Sequence, residues 1–161
     1  MKTYNVAPMD AMARAGTVLV FAMTVACIVA GILKAEVRPL IAAAALLLVL
    51  TWMSWQVAPK RYDLTDDALV IIRAWPFRNI SIPAQDIREV KRVEFSPWTA
   101  MGTLYVGGLF SYSGRLWNKQ LGGFYSGITD FKRTVLIVAN GKFVISPERP
   151  DEFIGDIDVM I

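Results

Sequence analysis

The chain has 161 residues, 55% hydrophobic and 19% charged, with a formal net charge of +3 and a mean hydropathy of +0.42. It contains no histidine and a single cysteine, Cys27. The commonest general base and the commonest metal ligand are therefore absent, and neither an internal disulfide nor a cysteine-based zinc site is possible. The basic excess is modest and no nucleic-acid motif accompanies it, which argues against nucleic-acid binding.

Residues 1–15 form a short polar segment with Lys2, Asp10 and Arg14. Two uncharged apolar runs follow, residues 16–33 (GTVLVFAMTVACIVAGIL) and 40–57 (LIAAAALLLVLTWMSWQV). Each is close to the ~20 residues that an α-helix needs to cross a ~30 Å hydrocarbon core. Lipid offers the backbone no hydrogen-bond partner, so such runs must be helical. KAEVRP, residues 34–39, has room only for a tight turn, and residues 16–59 read as a transmembrane helical hairpin. Arg14 ahead of an apolar run is also a signal-peptide feature. No small-x-small site closes the run, however, and Thr24-Val25-Ala26-Cys27 lacks the leading Leu of a lipoprotein box, so an uncleaved anchor is expected. Lys2, Arg14, Lys60 and Arg61 flank the side that carries both termini, against Lys34 and Arg38, offset by Glu36, in the turn. This balance places the polar domain on the cytoplasmic side of the inner or cell membrane. Trp52 and Trp55 stand near the end of the second run, where interfacial anchors belong.

Beyond Pro59 the pattern changes from helical runs to short β-type segments. RYDLT (61–65), ALVIIRA (68–74) and NISIP (79–83) are strand-like, separated by Asp66-Asp67 and by a turn at Trp75-Pro76. IREVKRVEF (87–95) reads as a turn leading into a strand. Recurrence at about ten-residue intervals is the mark of an antiparallel sheet. Residues 96–130 combine seven glycines with aromatics at 98, 105, 110, 112, 117, 124 and 125. Such a mixture suits either strongly bent, close-packed strands or a loop. It is not a phosphate loop, for GxxxxGK[ST] is missing. TVLIVA (134–139) and KFVIS (142–146) flank Asn140-Gly141, the mark of a two-residue type I′ hairpin. Pro150, Asp151 and Glu152 then open a helix whose Phe153, Ile154, Ile157 and Met160/Ile161 share one face and should cap the sheet.

Specific pieces of residues 61–161 resemble the bacterial pleckstrin-homology-like (PH-like) domains. They are Tyr62-Asp63-Leu64-Thr65 with Leu69-Val70-Ile71; Ile80-x-Ile82-Pro83 with Asp86-Ile87; Gly107-Gly108-x-Phe110; and Phe143-Val144-Ile145-Ser146-Pro147 with Phe153-Ile154. The chain looks like the form of that group in which two membrane helices come first. The resemblance implies a mainly-β barrel or sandwich closed by a C-terminal helix, spanning residues 60–161, that acts as a binding module and not as a catalyst. The chain departs from the group in the length and aromatic content of residues 96–130. Eukaryotic relatives use basic residues near the first hairpin for phosphoinositides. Here Lys60 and Arg61 face Asp63, Asp66 and Asp67, so that property does not carry over.

Charge is unevenly spread. Between Arg73 and Lys142 ten Lys/Arg stand against four acids, whereas residues 148–161 hold five acids and one Arg. The expected function is a non-enzymatic, membrane-anchored module that binds a membrane protein partner, a second copy of the chain or an anionic lipid surface. Arg88, Lys91 and Arg92 are candidates for headgroup contact, or else charges that keep a strand edge soluble. Phe110, Tyr112 and Trp117 are candidates for insertion or partner contact, with Arg115 and Lys119 beside them. The alternative is an accessory subunit of a larger membrane complex, assembled through Gly16, Gly31 and the alanines at 42–45. The acid pairs Asp66/Asp67 and Asp86/Glu89 have structural roles in turns and no nucleophile, metal spacing or cofactor loop beside them. No catalytic site, cofactor or small-molecule substrate is expected.

Overall fold

The computed structural model describes residues 1–33, 37–94, 96 and 99–160, with the backbone alone for Val37 and residues 100–108. The turn expected at 34–39 falls partly outside them, as do Phe95, Trp98 and Ile161.

Helix α1 (Ala11–Leu33) and helix α2 (Val37–Val57) form the expected hairpin. Helix α1 starts ahead of the apolar run because Asp10 caps it. The Asp10 carboxylate accepts the Ala13 N–H at 2.7 Å, and the Asp10 carbonyl accepts that of Arg14. The helices meet along small and hydroxylated residues: Thr17, Thr24 and Gly31 on α1, and Ala44, Thr51 and Ser54 on α2, are all buried. Each hydroxyl donates to a carbonyl of its own helix at 2.7–2.8 Å (Thr17 to Ala13, Thr24 to Val20, Thr51 to Leu47, Ser54 to Leu50). The interface thus needs no partner across the hairpin and stays narrow. Gly31 and Ala44 are spent inside the hairpin, while Ala42 and Ala45 face outward. The outward side is a sleeve of Val18, Leu19, Val25, Ile32, Ile41 and Leu46, far more exposed apolar surface than a water-facing helix carries.

Strand β1 (Lys2–Asn5) precedes the helices and strand β2 (Pro59–Leu64) follows them, and the two pair antiparallel with Tyr4 opposite Tyr62. Strands β3 (Ala68–Arg73) and β4 (Ile80–Pro83) complete a four-stranded sheet in the order β1-β2-β3-β4. The second sheet contains β5 (Glu89–Arg92), β6 (Ala100–Leu109), β7 (Ser111–Asn118), β8 (Gly122–Ile128), β9 (Val135–Val138) and β10 (Lys142–Ile145), in the order β5-β9-β10-β8-β7-β6. Only β8 and β10 run parallel among its pairs. The two sheets stack like a sandwich and do not close into a barrel. Helix α3 (Pro150–Met160) packs Phe153 and Ile157 into the space between them.

Residues 100–128 are strands, the first of the two arrangements open to the glycine-aromatic stretch. Gly122, with φ +72°, ends the β7–β8 turn in a conformation that other residues rarely adopt. Phe110, at φ 61°, makes the β6–β7 turn, and its N–H donates to Thr17 Oγ1 of α1 at 3.2 Å. The β9–β10 hairpin forms where expected, but not through a type I′ turn, because neither Asn140 nor Gly141 lies in the left-handed region. Three residues separate the last paired positions, Val138 and Lys142; Ala139 N–H donates to Gly141 O, and the Asn140 amide is drawn to Asp86 at 2.7 Å. Asp86 therefore braces that hairpin instead of capping its own turn.

Two apolar cores result. One holds Tyr62, Leu69, Ile71, Ile137, Ile145 and Phe153. The other joins Ala13 of α1 to Tyr112, Phe124, Ile128, Phe131 and Val144, on the face of the second sheet turned away from the first, so the foot of the first helix packs on the sandwich from that side. Phe153 is fully buried, edge-on to Tyr4 at 5.1 Å and tilted against Tyr62 at 6.1 Å. Phe153→Ala should cost about 3–5 kcal/mol through lost burial and the cavity left behind, measured as a drop in thermal stability of the full chain in nanodiscs.

On the outer side of α3, Asp156 accepts from Lys2 Nζ at 2.6 Å and from the Tyr4 hydroxyl. The Lys2 hydrogen bond, followed by that of Tyr4, holds the Asp156 carboxyl below its ordinary value. The anchoring of β1 is then complete above the unfolded carboxylate pKa and is lost as pH falls through the lower folded value. Hydrogen exchange, corrected for intrinsic rates, should show β1 amides opening relative to β2 in the acid range. Asp156→Asn should flatten that pH dependence and speed β1 exchange at neutral pH, while the Tyr4–Phe153 packing keeps the strand in place.

Candidate functional site

The pairing of β1 with β2 gives the sandwich two ends. Strand β1 runs into α1 and β2 runs out of α2, so Asn5, Arg61 and Pro59 mark the end at the helix feet. Arg73, opposite Pro59, lies at the same end, and the Asp66-Asp67 turn lies at the other. In the second sheet the end of β8 belongs to the feet: Thr129 O accepts the Asp10 N–H, and Thr129 Oγ1 donates to Ala7 O at 2.7 Å. Ser146 Oγ accepts the Thr129 N–H, and Tyr62 Oη meets the Ser146 N–H and Gly127 O. This buried network ties the segment leading into α1 to both sheets.

The residues expected to make contacts are not gathered in one place. Arg88 and Arg92 bracket β5, an edge strand, at its two ends. Arg88 stands with Asp86 and Asn140, away from the feet. Lys91 pairs with Glu89 at 2.6 Å. Arg92 reaches Asp151 at 3.3 Å and Lys132 O. Arg92 also lines a cleft of about 960 Å³ beside the start of α1, together with Asp10, Met12, Glu94, Asp130 and Lys132. The cleft has both signs of charge at its wall, which does not select an anion.

Tyr112 is buried against Phe131, with ring centroids 4.6 Å apart, and its hydroxyl donates toward Asp10 at 3.4 Å. It is therefore a core residue and not a surface contact, because alternation along β7 turns it and Leu116 inward and Arg115 and Trp117 outward. Phe110 is half-buried in the turn that meets α1. From the feet outward, the exposed residues of β7 are Arg115, then Trp117, with Lys119 beyond the strand. Trp52 and Trp55 are about half exposed on α2, and the Lys60 ammonium lies 3.9 Å from the centroid of the Trp55 ring while donating to Trp55 O. Burial lowers the Lys60 pKa.

A contact that the sequence did not signal joins these parts. Arg73 Nη1 donates to Tyr125 Oη at 3.2 Å, and Tyr125 is the cross-strand partner of Arg115. Burial pushes the Tyr125 phenol up, against the lowering influence of Arg73. Arg73 also faces the Phe77 ring, 5.9 Å from its centroid. Basic and aromatic groups thus run from the feet of the helices along one face of β7 and β8, the face that further along the sheet packs on the first sheet through Ile137 and Ile145. Arg73 lies in a strand-like segment of ordinary composition and Tyr125 in the glycine-aromatic stretch, and only strand register brings them together.

Glu89 is occupied by Lys91 and Asp86 by Asn140. The Asp67 carbonyl accepts the Ala84 N–H, which joins the β2–β3 turn to the end of β4. Among the described residues no group of three or more His, Cys, Asp or Glu side chains is placed to hold a metal ion.

No curated protein matches the chain, and no solved structure matches it. The family model described as bacterial PH domain matches residues 60–160. That span begins where the chain leaves α2, and it takes in both sheets, β1 excepted, together with α3. Covering more than half of the chain, the match shows that this protein belongs to the bacterial PH domain family, carried behind two helices long and apolar enough to cross a membrane.

Proposed function

We propose that the protein is a non-enzymatic, membrane-anchored PH module that binds a membrane protein partner or an anionic lipid surface in a scaffolding or regulatory role. The observation that carries this reading is the antiparallel pairing of β1 and β2 on either side of the helical hairpin. It returns both helix feet to one sheet, so the binding domain is held against the bilayer by two covalent attachments. Confinement of this kind raises the effective concentration of any membrane partner, so weak contacts suffice. An uncleaved anchor agrees with the same pairing, since cleavage within or after α1 would detach β1 from the sheet.

Near an anionic surface each Lys or Arg contributes about 1 kcal/mol. Arg92, at the feet, is placed to contribute more than Arg88 at the far end. A fragment beginning at Lys60 would lack β1 and the Ala7–Thr129 bond, so the test uses the full chain in nanodiscs of neutral or anionic lipid. Hydrogen exchange should show β5 and β7 protected by anionic lipid, with protection fading as salt rises. Reversing Arg88, Lys91 and Arg92 to Glu should remove protection from β5. If β5 and β7 exchange equally in both lipids, the lipid half of the proposal fails and these faces are left to a protein partner.

The basic residues at the feet, Arg14, Lys60 and Arg61, support a cytoplasmic domain. Lys142→Cys in a Cys27→Ser background should resist a membrane-impermeant thiol reagent added to intact cells and react in inside-out vesicles; the reverse pattern would place the domain outside.

A further inference from the structure

The loop between β3 and β4, residues 74–79, carries the most exposed aromatic side chain among the described residues. Trp75 is 82% exposed. Pro76 and Arg78 beside it are exposed, and Phe77 is half-buried. Tryptophan at the surface of a water-soluble domain is usually covered over most of its area, whereas a ring left bare with a basic neighbour is characteristic of the membrane interface. The loop is braced into shape: Arg73 N–H donates to Asn79 Oδ1 at 3.1 Å, Arg73 Nε donates to Arg78 O at 2.9 Å, and Phe77 N–H donates to Ala74 O at 3.1 Å. Four of its polar groups are thereby satisfied, and the indole is presented on a fixed turn.

Register decides where the loop points. Strand β2 leaves α2 at Pro59, and Pro59 is opposite Arg73, the last residue of β3. Strand β3 runs antiparallel to β2, so the chain beyond Arg73 travels back toward the helices. Trp75 is two residues beyond Arg73 and Trp55 four before Pro59, so both belong to the end of the sandwich at which α2 enters it.

We infer that the Trp75 loop is a third membrane foot: Trp75 and Pro76 enter the headgroup–acyl boundary beside α2, with Arg78 at the phosphates. The occupant is the bilayer that holds the hairpin, because the loop continues the Trp55–Lys60 end of α2. The feet are fixed to the sandwich through Ala13 and the Ala7–Thr129 bond, so a wedge set to one side of the hairpin sets the tilt of helices and domain together. The inference rests on the reading that the hairpin spans the membrane.

The test uses the full chain in Cys27→Ser form, in vesicles of phosphatidylcholine and phosphatidylglycerol, with an environment-sensitive fluorophore on one introduced cysteine. Leu46→Cys reports on mid-helix depth, Trp75→Cys on the loop, and Asp66→Cys on the opposite end of the sheet. Shallow spin-labelled lipid should quench the label at 75 several-fold more than the label at 66, and aqueous iodide should do the reverse. With Trp75 left in place and the label moved to Arg78→Cys, a second change, Trp75→Asp, should cut lipid quenching several-fold while the label at 66 reads as before. If deep spin-labelled lipid fails to quench the label at 46, the spanning reading itself falls and takes this inference with it. Deep quenching at 46 together with equal iodide access at 75 and 66 would overturn the loop inference alone. Protection at 75 from both quenchers would also overturn it, in favour of a contact between copies of the chain.

Discussion

The pairing of Tyr4 with Tyr62 organises the rest of the molecule. A strand of four residues, by itself marginal, is supplied from ahead of the membrane hairpin and must find its partner behind it. Once paired, it returns both feet of the hairpin to neighbouring positions in one sheet, and the helices become an excursion from the domain instead of a tether hung from its end. The pairing is secured from three directions. Phe153 meets Tyr4 edge-on, Asp156 holds Lys2 and Tyr4 at the outer edge, and the Val6–Pro147 bridge continues it toward the second sheet. Without β1, the apolar edge of β2 would be left open and Phe153 would lose one of its two aromatic neighbours.

The polar network under the feet has a comparable role. Thr129, Ser146 and the Tyr62 hydroxyl are buried, and a buried polar group left without a partner costs about 1–3 kcal/mol. Here they satisfy one another and the backbone of Ala7 and Gly127, which belong to different layers. Burial raises the Tyr62 phenol well above its ordinary value, so it stays protonated and able to donate. The cost of burying these groups is offset only when helix foot and both sheets are in place together. This is how a short connection can hold a membrane helix at a fixed position against a β domain.

Much of this architecture could be read from residue patterns. The two apolar runs, the strand-like segments after Pro59, the hairpin at Asn140-Gly141 and the apolar face of α3 all rest on local periodicity, and each forms at its expected place. What could not be read depends on contacts remote in sequence. KTYN is too short and polar to announce a strand, and only Tyr62 across the hairpin makes it one. The type I′ turn was displaced because Asn140 has Asp86 to bind. Tyr112 belongs to the core because β7 is a regular strand whose alternation begins at the Phe110 turn, and glycine content alone could not distinguish that strand from a loop. The basic residues suffered the same limitation: Arg88 and Arg92 are neighbours in sequence but mark opposite ends of β5, whereas Arg73 and Arg115, far apart in sequence, flank the Tyr125 ring.

Register also turns a sequence asymmetry into a spatial one. Lys60, Arg61, Arg73, Arg78 and Arg92 gather toward the helix feet. The Asp66-Asp67 turn lies at the far end, where Asp66 shares a surface hollow with Asp156 and the last turn of α3. A domain polarised in this way experiences a torque in the field of an anionic membrane as well as a net attraction. The field falls off within a Debye length of about 8 Å at physiological ionic strength, so only charges near the feet feel it strongly, and there Asp10, Glu94 and Asp130 stand among the basic residues. Only the Asp66-Asp67 turn and Asp156 are carried beyond its reach. Attachment through two feet gives the sandwich one end at the helices and one away from them, and the far end carries Lys2 and Arg88 together with the Asp66-Asp67 turn.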